Sequence, residues 1–166
     1  MKTKELAKKR IMFIQKEDYN FLTYNLLIFL YALDCSNESK RFRDFRKIAY
    51  LIEFINSGAD VEKYSKFELA NIYSKSHLRK QLLSHLLIVL RNHNFIDISI
   101  NRTHNSFDIW LKKENIPSDF FNQDLFKSEL NNIEELKQKI TALKVTTVKT
   151  LVDKVFSSHN IITWEI

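Results

Sequence analysis

The sequence is almost devoid of glycine and proline, the two residues that most often interrupt helices and make tight turns. It contains one glycine, Gly58, and one proline, Pro117, in 166 residues. A loop that cradles phosphate needs several glycines, because its backbone must turn tightly and approach the ligand closely. The sequence therefore excludes a Walker A loop and a dinucleotide-binding fingerprint. If the chain works with a nucleotide-driven machine, another subunit must supply the nucleotide site.

The length suits one domain with helical extensions, and the composition is that of a folded chain. Hydrophobic residues make up 45% of the sequence and include 13 phenylalanines, which a disordered chain would lack. We predict a single domain over residues 1–166. It comprises an N-terminal arm and apolar helix (1–40), a winged-helix-like core (41–113) and a C-terminal helical extension (114–166).

Cysteine usage and the N-terminal residues predict a cytoplasmic protein. Cys35 is the only cysteine, so an intrachain disulfide is excluded. The charged stretch from Met1 to Arg10 is not followed by the apolar core of a secretion signal. The most apolar run, Phe21 to Leu33, is shorter than the about 20 residues that a membrane span needs. We therefore expect a buried helix there and no membrane contact.

That apolar run forms most of the first predicted helix. Asp18 is a suitable N-cap for a helix that ends near Asp34. Because the helix is apolar nearly all round, it predicts either a core position or a permanent interface with a partner. In the second case, Leu27 and Phe29 are candidate partner-interface residues.

The middle of the chain carries the element order of a winged helix-turn-helix. Apolar spacing and period-two alternation predict helices at 41–56, 66–73 and 77–92, followed by a β-hairpin with strands at 95–100 and 107–111. Ser74 to Ser76 would form the turn, with Ser76 as the N-cap of the long helix, and the hairpin would be the wing. Gly58 lies where a C-terminal cap of the first of these helices is expected.

Further helices are predicted at 124–144 and 147–156, and residues 161–164 could form a short strand. The predicted fold class is therefore mainly α with a small β-hairpin. In this prediction, a winged-helix-like core carries additional N- and C-terminal helices.

The formal net charge is +6, and the excess is localised. Residues 1–16 hold six Lys or Arg against one acid, and residues 75–113 hold seven against two. Localised positive charge is typical of nucleic-acid contact, although an ordinary basic surface explains it equally well. The polar face of helix 77–92, the turn before it and the wing supply the candidate nucleic-acid-binding residues, which are Lys75, His77, Lys80, Gln81, Ser84, Arg91, Arg102, Lys112 and Lys113.

Two properties of helix 77–92 argue against sequence-specific reading of DNA. On a helical wheel, its apolar arc spans about 180°, which is wider than the stripe of about 100° on a helix packed on one side. The arc comprises Leu78, Leu82, Leu83, Leu86, Leu87, Val89 and Leu90. The polar face of the helix also carries Ile88. A helix packed on two sides adds Leu87 and Ile88 to the candidate partner-interface residues, and Leu136 and Ile140 on helix 124–144 complete that set.

The sequence carries no pattern typical of an enzyme, and we predict neither catalytic activity nor a cofactor. His77, His85 and His93 recur every eight residues, which on one helix separates neighbours by about 12 Å, too far to share a metal ion. Nothing marks a base beside Cys35. The acidic residues form no cluster in the sequence that would hold a divalent cation. The sequence leaves open whether acidic residues distant in the chain form such a cluster in the folded protein.

The stretches Phe21–Leu33 and Arg41–Ile55, followed by the helix and hairpin at 77–111, resemble the middle components of bacterial ABC three-component systems. The small accessory subunit of Lamassu anti-phage systems is similar. The resemblance covers most of the chain and rests on element order and apolar pattern, without a catalytic signature. It implies a non-catalytic subunit between an SMC-like or Rad50-like ABC ATPase and an effector, often a nuclease.

The leading expectation is thus an accessory subunit of a bacterial anti-phage or anti-plasmid defence complex, with weak DNA contact through the basic block. The resemblance also implies that helix 124–144 could lie along a partner's coiled coil, and it leaves homodimerisation open. The main alternative is a winged-helix DNA-binding transcriptional regulator. A weaker one is a toxin–antitoxin or phage-encoded interaction protein. A regulator would bind a palindromic site as a symmetric dimer, whereas an accessory subunit would co-purify with a large ATPase.

Overall fold

A computed structural model describes residues 19–122 and 124–164. Over these residues the chain is mainly helical with one antiparallel hairpin, which confirms the predicted class of helices plus a small β-hairpin. The helices and strands are α1 (19–32), α2 (Arg46–Ser57), α3 (Lys66–Asn92), β1 (Ile96–Asn101), β2 (Ser106–Leu111), α4 (Lys127–Lys139) and α5 (Val148–Val155). Short 3₁₀ turns lie at Glu38–Lys40, Val61–Lys63, Lys113–Asn115, Ser118–Phe121 and Ser157–His159. None of the described helices combines the length and apolar character that crossing a bilayer requires.

Helix α1 is part of the core, where it meets neighbours on several sides. The Phe29 ring packs edge-on against Phe42, with centroids 5.2 Å apart, and Tyr31 stacks on Phe121 at 4.2 Å. Leu27 and Phe29 are only 4% and 0% exposed. The structure therefore places both residues in the chain's own core, which corrects their assignment to a partner interface. The predicted cap Asp18 lies outside the described residues.

Helix α2 begins five residues later than the predicted start at 41. The residues before it are committed to other contacts, because Phe42 exchanges two backbone hydrogen bonds with Ile109 of β2 (2.8 and 3.0 Å). Asp44 then adopts a left-handed conformation with φ of 59°. Gly58 ends the helix as predicted: its φ is 130°, which an L side chain rarely adopts, and its N–H donates to Phe54 O.

Helix α3 is continuous over 27 residues, which contradicts the predicted helix-turn-helix. Its N-cap is Ser65, whose hydroxyl accepts from the Glu68 N–H while the Glu68 carboxylate accepts from the Ser65 N–H. The predicted turn lies inside the helix, where Ser76 is fully buried and donates to Ile72 O at 2.7 Å. A serine hydroxyl can bond to the carbonyl four residues earlier without ending a helix, and no glycine or proline interrupts this stretch. The winged-helix unit is therefore not confirmed.

The hairpin forms as predicted, to within a residue at each strand end. Ile96 pairs with Leu111 at the open end, and Asn101 pairs with Ser106 next to the turn. The bridge between Phe42 and Ile109 extends β2 towards the loop before α2. The small sheet is thereby tied to the helical core and does not project alone.

A buried polar network fixes the hairpin to that loop. The Asp108 carboxylate accepts from Arg41 Nε (3.0 Å), the Asp44 N–H (2.9 Å) and Asn101 Nδ2 (2.9 Å). The Asp44 carboxylate accepts from Arg46 Nε (2.9 Å) and Nη2 (2.8 Å) and from the Ser106 hydroxyl (2.8 Å). Burial raises the pKa of Asp44, but the hydrogen bonds from Arg46 and Ser106 outweigh it and hold this pKa below its usual value.

The C-terminal helices are shorter than predicted. Helix α4 ends at Lys139 and is followed by a turn in which Ala142 has a φ of 54°, before the Thr147 hydroxyl caps α5 by accepting from the Thr150 N–H. Leu136 and Ile140 are 1% and 5% exposed. Their assignment to a partner interface is corrected in the same way as that of α1. Residues 161–164 do not form the predicted strand.

Left-handed turns are made almost without glycine. Among the described residues, the non-glycine positions with positive φ are Asp34, Asp44, Asn94, Asn105, Ala142 and Asn160, with values from 50° to 62°. Asn and Asp tolerate this conformation best, because their short polar side chains can bond to the local backbone. The chain thus replaces the glycines it lacks mostly with Asn and Asp.

Candidate interaction face on helix α3

Helix α3 presents two different faces along its length. The apolar residues of the inward face are buried against the core: Leu69, Ile72, Leu83, Leu86, Leu87 and Leu90. Four large apolar side chains of the helix remain in solvent: Phe67 is 75% exposed, Leu78 60%, Ile88 58% and Val89 48%. The wide apolar arc predicted for this helix is therefore covered on one side and bare on the other. Several large apolar side chains exposed on one side of a helix indicate a candidate contact site.

The exposed residues are aligned along the helix. Phe67, Leu78 and Val89 are spaced by eleven residues, which is about three turns, so they lie in one row. Half-buried Leu82 lies one turn beyond Leu78 on the same side. We call Phe67, Leu78, Leu82 and Val89 the outer row. At a rise of about 1.5 Å per residue, it spans about 33 Å.

A groove between α1 and α3 borders the outer row. It encloses about 290 Å³ and is lined by Phe21, Leu22, Lys75, Leu78, Arg79 and Leu82. The Arg79 guanidinium donates through Nη2 to Glu53 Oε2 of α2 at 3.1 Å, and its buried Nη1 has no acceptor among the described residues. The groove therefore combines apolar walls with a cationic edge.

The charge on α3 has one sign beyond its first turn. Glu68 is the only acid of the helix, and none occurs from Leu69 to Asn92. At about 100° per residue, Lys75 and Arg79 lie along one edge of the outer row, whereas Ser74 and Gln81 lie along the other. One edge is therefore cationic and the other neutral.

The candidate nucleic-acid-binding residues of α3 do not share a face. Lys75, Gln81, Ser84 and Arg91 are exposed, as the prediction requires. Lys75 and Arg91 are about 160° apart around the helix, however. The Ser84 hydroxyl donates to Lys80 O at 2.9 Å, which occupies its hydrogen atom. These four side chains therefore do not form one surface that could contact a DNA groove.

The side chains of His77 and Lys80 pack against aromatic residues and do not project into solvent as the prediction requires. The Lys80 ammonium donates to the Tyr50 hydroxyl at 2.8 Å and lies 5.1 Å from that ring's centroid. The His77 ring stacks on Trp164 with centroids 5.0 Å apart and meets Tyr73 edge-on at 4.9 Å. Both residues contribute to packing against α2 and the C-terminal tail.

The three wing candidates are also separated. Arg102 is exposed at the hairpin turn, whereas Lys112 and Lys113 follow the other end of β2. Six paired residues put about 20 Å between the two ends of such a hairpin. Lys112 lies 3.9 Å from Asp97, and Lys113 Nζ lies 4.8 Å from the centroid of the Tyr31 ring. Arg102 is thus isolated from the other two.

The two partner-interface candidates of α3, Leu87 and Ile88, differ strongly in exposure. Leu87 is 2% exposed and belongs to the core, which corrects its assignment to an interface, whereas Ile88 is 58% exposed and remains a candidate. Sequence reasoning placed Leu78, Leu82 and Val89 on the apolar arc but did not single them out as exposed. Their eleven- and seven-residue spacings were visible in the sequence; which side of the arc other helices would cover was not.

Lys47 is a buried cation that sequence reasoning missed. Its ammonium donates to Leu143 O at 2.8 Å and lies 4.3 Å from the centroid of the Phe42 ring, and the residue is fully buried. Burial lowers the pKa of Lys47 to about 7, against the opposing influence of Asp44. The signal was present in the sequence, because Lys47, Leu51 and Phe54 share one face of α2 at helical spacing.

No cluster of metal-binding side chains occurs within residues 19–122 and 124–164. No group of three or more His, Cys, Asp or Glu residues there could hold a metal ion. Burial raises the pKa of the Cys35 thiol to about 11, so the nucleophilic thiolate is disfavoured at neutral pH. The outer row is therefore the feature of this part of the chain that most needs a functional explanation.

Comparisons with protein-family models, with curated proteins and with solved structures found no match to this chain.

Proposed function

We propose that this chain is a non-catalytic accessory subunit that binds protein partners through the outer row of α3. The observation that carries the proposal is the exposure of three large apolar side chains, Phe67, Leu78 and Val89, in one line on a 27-residue helix. Complete burial of an apolar side chain of this size contributes about 1.5–3 kcal/mol. A partner that covers the row therefore gains substantial free energy from contacts that the isolated chain leaves unused.

The partners that we propose are an SMC-like ABC ATPase and an effector, often a nuclease, in a bacterial anti-phage or anti-plasmid complex. The support for this choice is the resemblance to the middle components of ABC three-component systems. It agrees with the near absence of glycine, which leaves any nucleotide site to another subunit. The proposal does not depend on a turn between two helices, so it is compatible with the continuous helix α3 that replaces the predicted pair.

The alternative of a winged-helix transcriptional regulator loses support. Its recognition helix should begin after a turn, with its first residues at the bases, but the stretch from Ser74 to Ser76 is helical. Lys80, one of its principal reading residues, bonds to Tyr50. Exposed Lys75, Arg91 and Arg102 are compatible with weak, salt-sensitive contact to DNA phosphates, which an accessory subunit also tolerates.

The proposal is tested by capture from the native host. An N-terminally tagged chain is purified together with its bound proteins, which are identified by mass spectrometry. We expect an SMC-like ATPase, and we expect its recovery to fall at least about tenfold when Leu78→Asp and Val89→Asp are combined, because two charges then enter the contact surface. The matched control is Ile100→Asp, since Ile100 is 71% exposed but lies on the hairpin.

Two results would overturn the proposal. One is capture without any ABC ATPase. The other is a symmetric dimer that binds one palindromic duplex with nanomolar affinity and loses it with Gln81→Ala, because that behaviour defines a sequence-specific regulator. Circular dichroism of each variant checks that the fold is retained.

A further inference from the structure

We propose that the outer row of α3 receives an amphipathic helix of a partner protein whose flanking positions are acidic. The inference rests on the proposed function, since it uses the same face, and it specifies the chemistry of the segment that binds there. It depends on three features of the described residues: the spacing of the row, the sign of its charge and the groove beside it.

The spacing of the row fits a helix. Leu78, Leu82 and Val89 of the outer row are separated by four and seven residues, and the polar side chain of His85 occupies the position between the last two. Two helices that pack side by side bury positions at these intervals, and about three heptads cover about 33 Å. A strand would match this pattern poorly, because its side chains repeat every two residues. The geometry thus favours a helix lying along α3.

The charge along the row selects an acidic helix. Lys75 and Arg79 lie on one edge, where Arg79 already pairs with Glu53 of α2, and α3 carries no acid between Leu69 and Asn92 that could pair with Lys75. In packed helices, the residues that flank the apolar seam set partner choice by their charges. A helix with Asp or Glu at its flanking positions would meet opposite charge on one side and neutral residues on the other. A basic helix would be repelled.

The groove supplies a specific place for a carboxylate. Arg79 uses one guanidinium nitrogen for Glu53 and keeps its buried Nη1 without an acceptor among the described residues. Arg79 lines the groove together with Phe21 and Leu82, so an acidic side chain that enters there lies near the guanidinium, although Nη1 itself is buried. Charge-assisted hydrogen bonds to Arg are stronger than neutral ones, so the groove adds selectivity to the general field.

A second copy of this chain is a poorer occupant. An antiparallel pair of α3 helices would bring the two cationic edges together, and Lys75 and Arg79 would face their own counterparts. A parallel pair would set each cationic edge against a neutral one and gain no attraction. Neither arrangement satisfies Arg79. The charge pattern therefore favours a different, acidic chain.

The experiment compares two synthetic peptides of about 24 residues that share identical apolar heptad positions. One carries Glu at the flanking positions and the other carries Lys. Each is labelled with a fluorophore, and its binding to the full-length protein is followed by anisotropy at low and high salt. We expect the acidic peptide to bind at least about tenfold more tightly at low salt, and the difference to shrink as salt rises, because exposed charges are screened.

Three variants locate the site. Leu78→Ser should weaken the acidic peptide at least about tenfold, because it removes the centre of the row. Lys75→Glu should narrow or reverse the preference between the two peptides without abolishing binding. Ile100→Ser should change neither affinity, since Ile100 is exposed on the hairpin, outside α3.

Several outcomes would overturn this inference. Equal binding of the two peptides, binding of neither, or a loss in Ile100→Ser equal to that in Leu78→Ser removes the acidic-helix site. Sedimentation that shows a dimer broken by Leu78→Ser assigns the row to a second copy, and competition by duplex DNA for the peptide assigns it to nucleic acid. ATPase capture with equal peptide affinities refutes only the acidic helix; acidic-peptide binding without ATPase capture refutes only the proposed accessory role.

Discussion

Leu87 and Ile88 are neighbours in the chain and nearly equal in size, yet one is 2% exposed and the other 58%. Leu87 faces the helical core, and Ile88 faces solvent about 100° further round α3. The difference shows that hydrophobicity alone does not decide which residues of this helix are buried. What decides is where α2 and the other elements pack, and α3 carries more apolar surface than those elements cover.

The largest expected effect on stability is the difference between alanine variants of these two adjacent residues. Leu87→Ala should lower the free energy of unfolding by about 2–5 kcal/mol, because it removes a packed side chain and leaves a cavity. Ile88→Ala should change it by less than about 0.5 kcal/mol, as exposed positions usually do. Urea denaturation followed by circular dichroism measures both. Similar losses in the two variants would mean that the outward face is covered within the folded chain.

The second prediction compares a cation inside the fold with one outside it. The pKa of Lys47 is about 7 in the folded protein and 10.5 when unperturbed, so between these values the unfolded chain binds more protons. The free energy of unfolding should therefore rise with pH from about 7 towards 10. Lys47→Met should lose this rise.

The matched control for that experiment is Lys75→Met. Lys75 is exposed on the outward face, so its replacement should keep the pH dependence of the wild-type protein. Urea denaturation at several pH values gives the slopes. An unchanged slope in Lys47→Met would contradict the burial of this ammonium beside Leu143 O.

The smallest expected effect on stability tests whether α3 is one continuous helix. Ser74 is exposed in the middle of α3, and alanine is the better helix former, so Ser74→Ala should be neutral or stabilise the protein by about 0.5 kcal/mol. Ser65→Ala, at the true N-cap, should destabilise it by about 1 kcal/mol. Thermal denaturation ranks the two variants. A loss at Ser74 as large as that at Ser65 would restore the turn.

Local pattern predicted the elements whose determinants are close in sequence. The hairpin follows from alternation between Ile96 and Leu111, and the end of α2 follows from Gly58. The break at Ser74 to Ser76 was predicted from serine's preference for caps, but the serine at 76 bonds within the helix instead. The amphipathic pattern could not distinguish one long helix from two.

The candidate site was harder to predict because distant residues determine its orientation. Lys80 bonds to Tyr50, thirty positions earlier, and His77 stacks on Trp164, far along the chain. Such contacts remove side chains from a surface that a helical wheel assigns to solvent. The same wheel placed Leu78 and Val89 on an apolar arc, but the arc exceeded what the neighbouring elements cover.

The left-handed turns affect the unfolded chain as well as the folded one. Glycine samples more backbone conformations than any other residue, so a turn made by Asn or Asp gives up less freedom when it becomes ordered. At positions such as Asn94, Asn105 and Asn160, the left-handed backbone is slightly strained in the folded protein. The unfolded chain is stiffer there than it would be with glycine. Asn94 lies between α3 and β1, so a stiffer turn there restricts how the hairpin can move relative to α3. A helix that docks on α3 as proposed would then meet a surface that needs less ordering on binding.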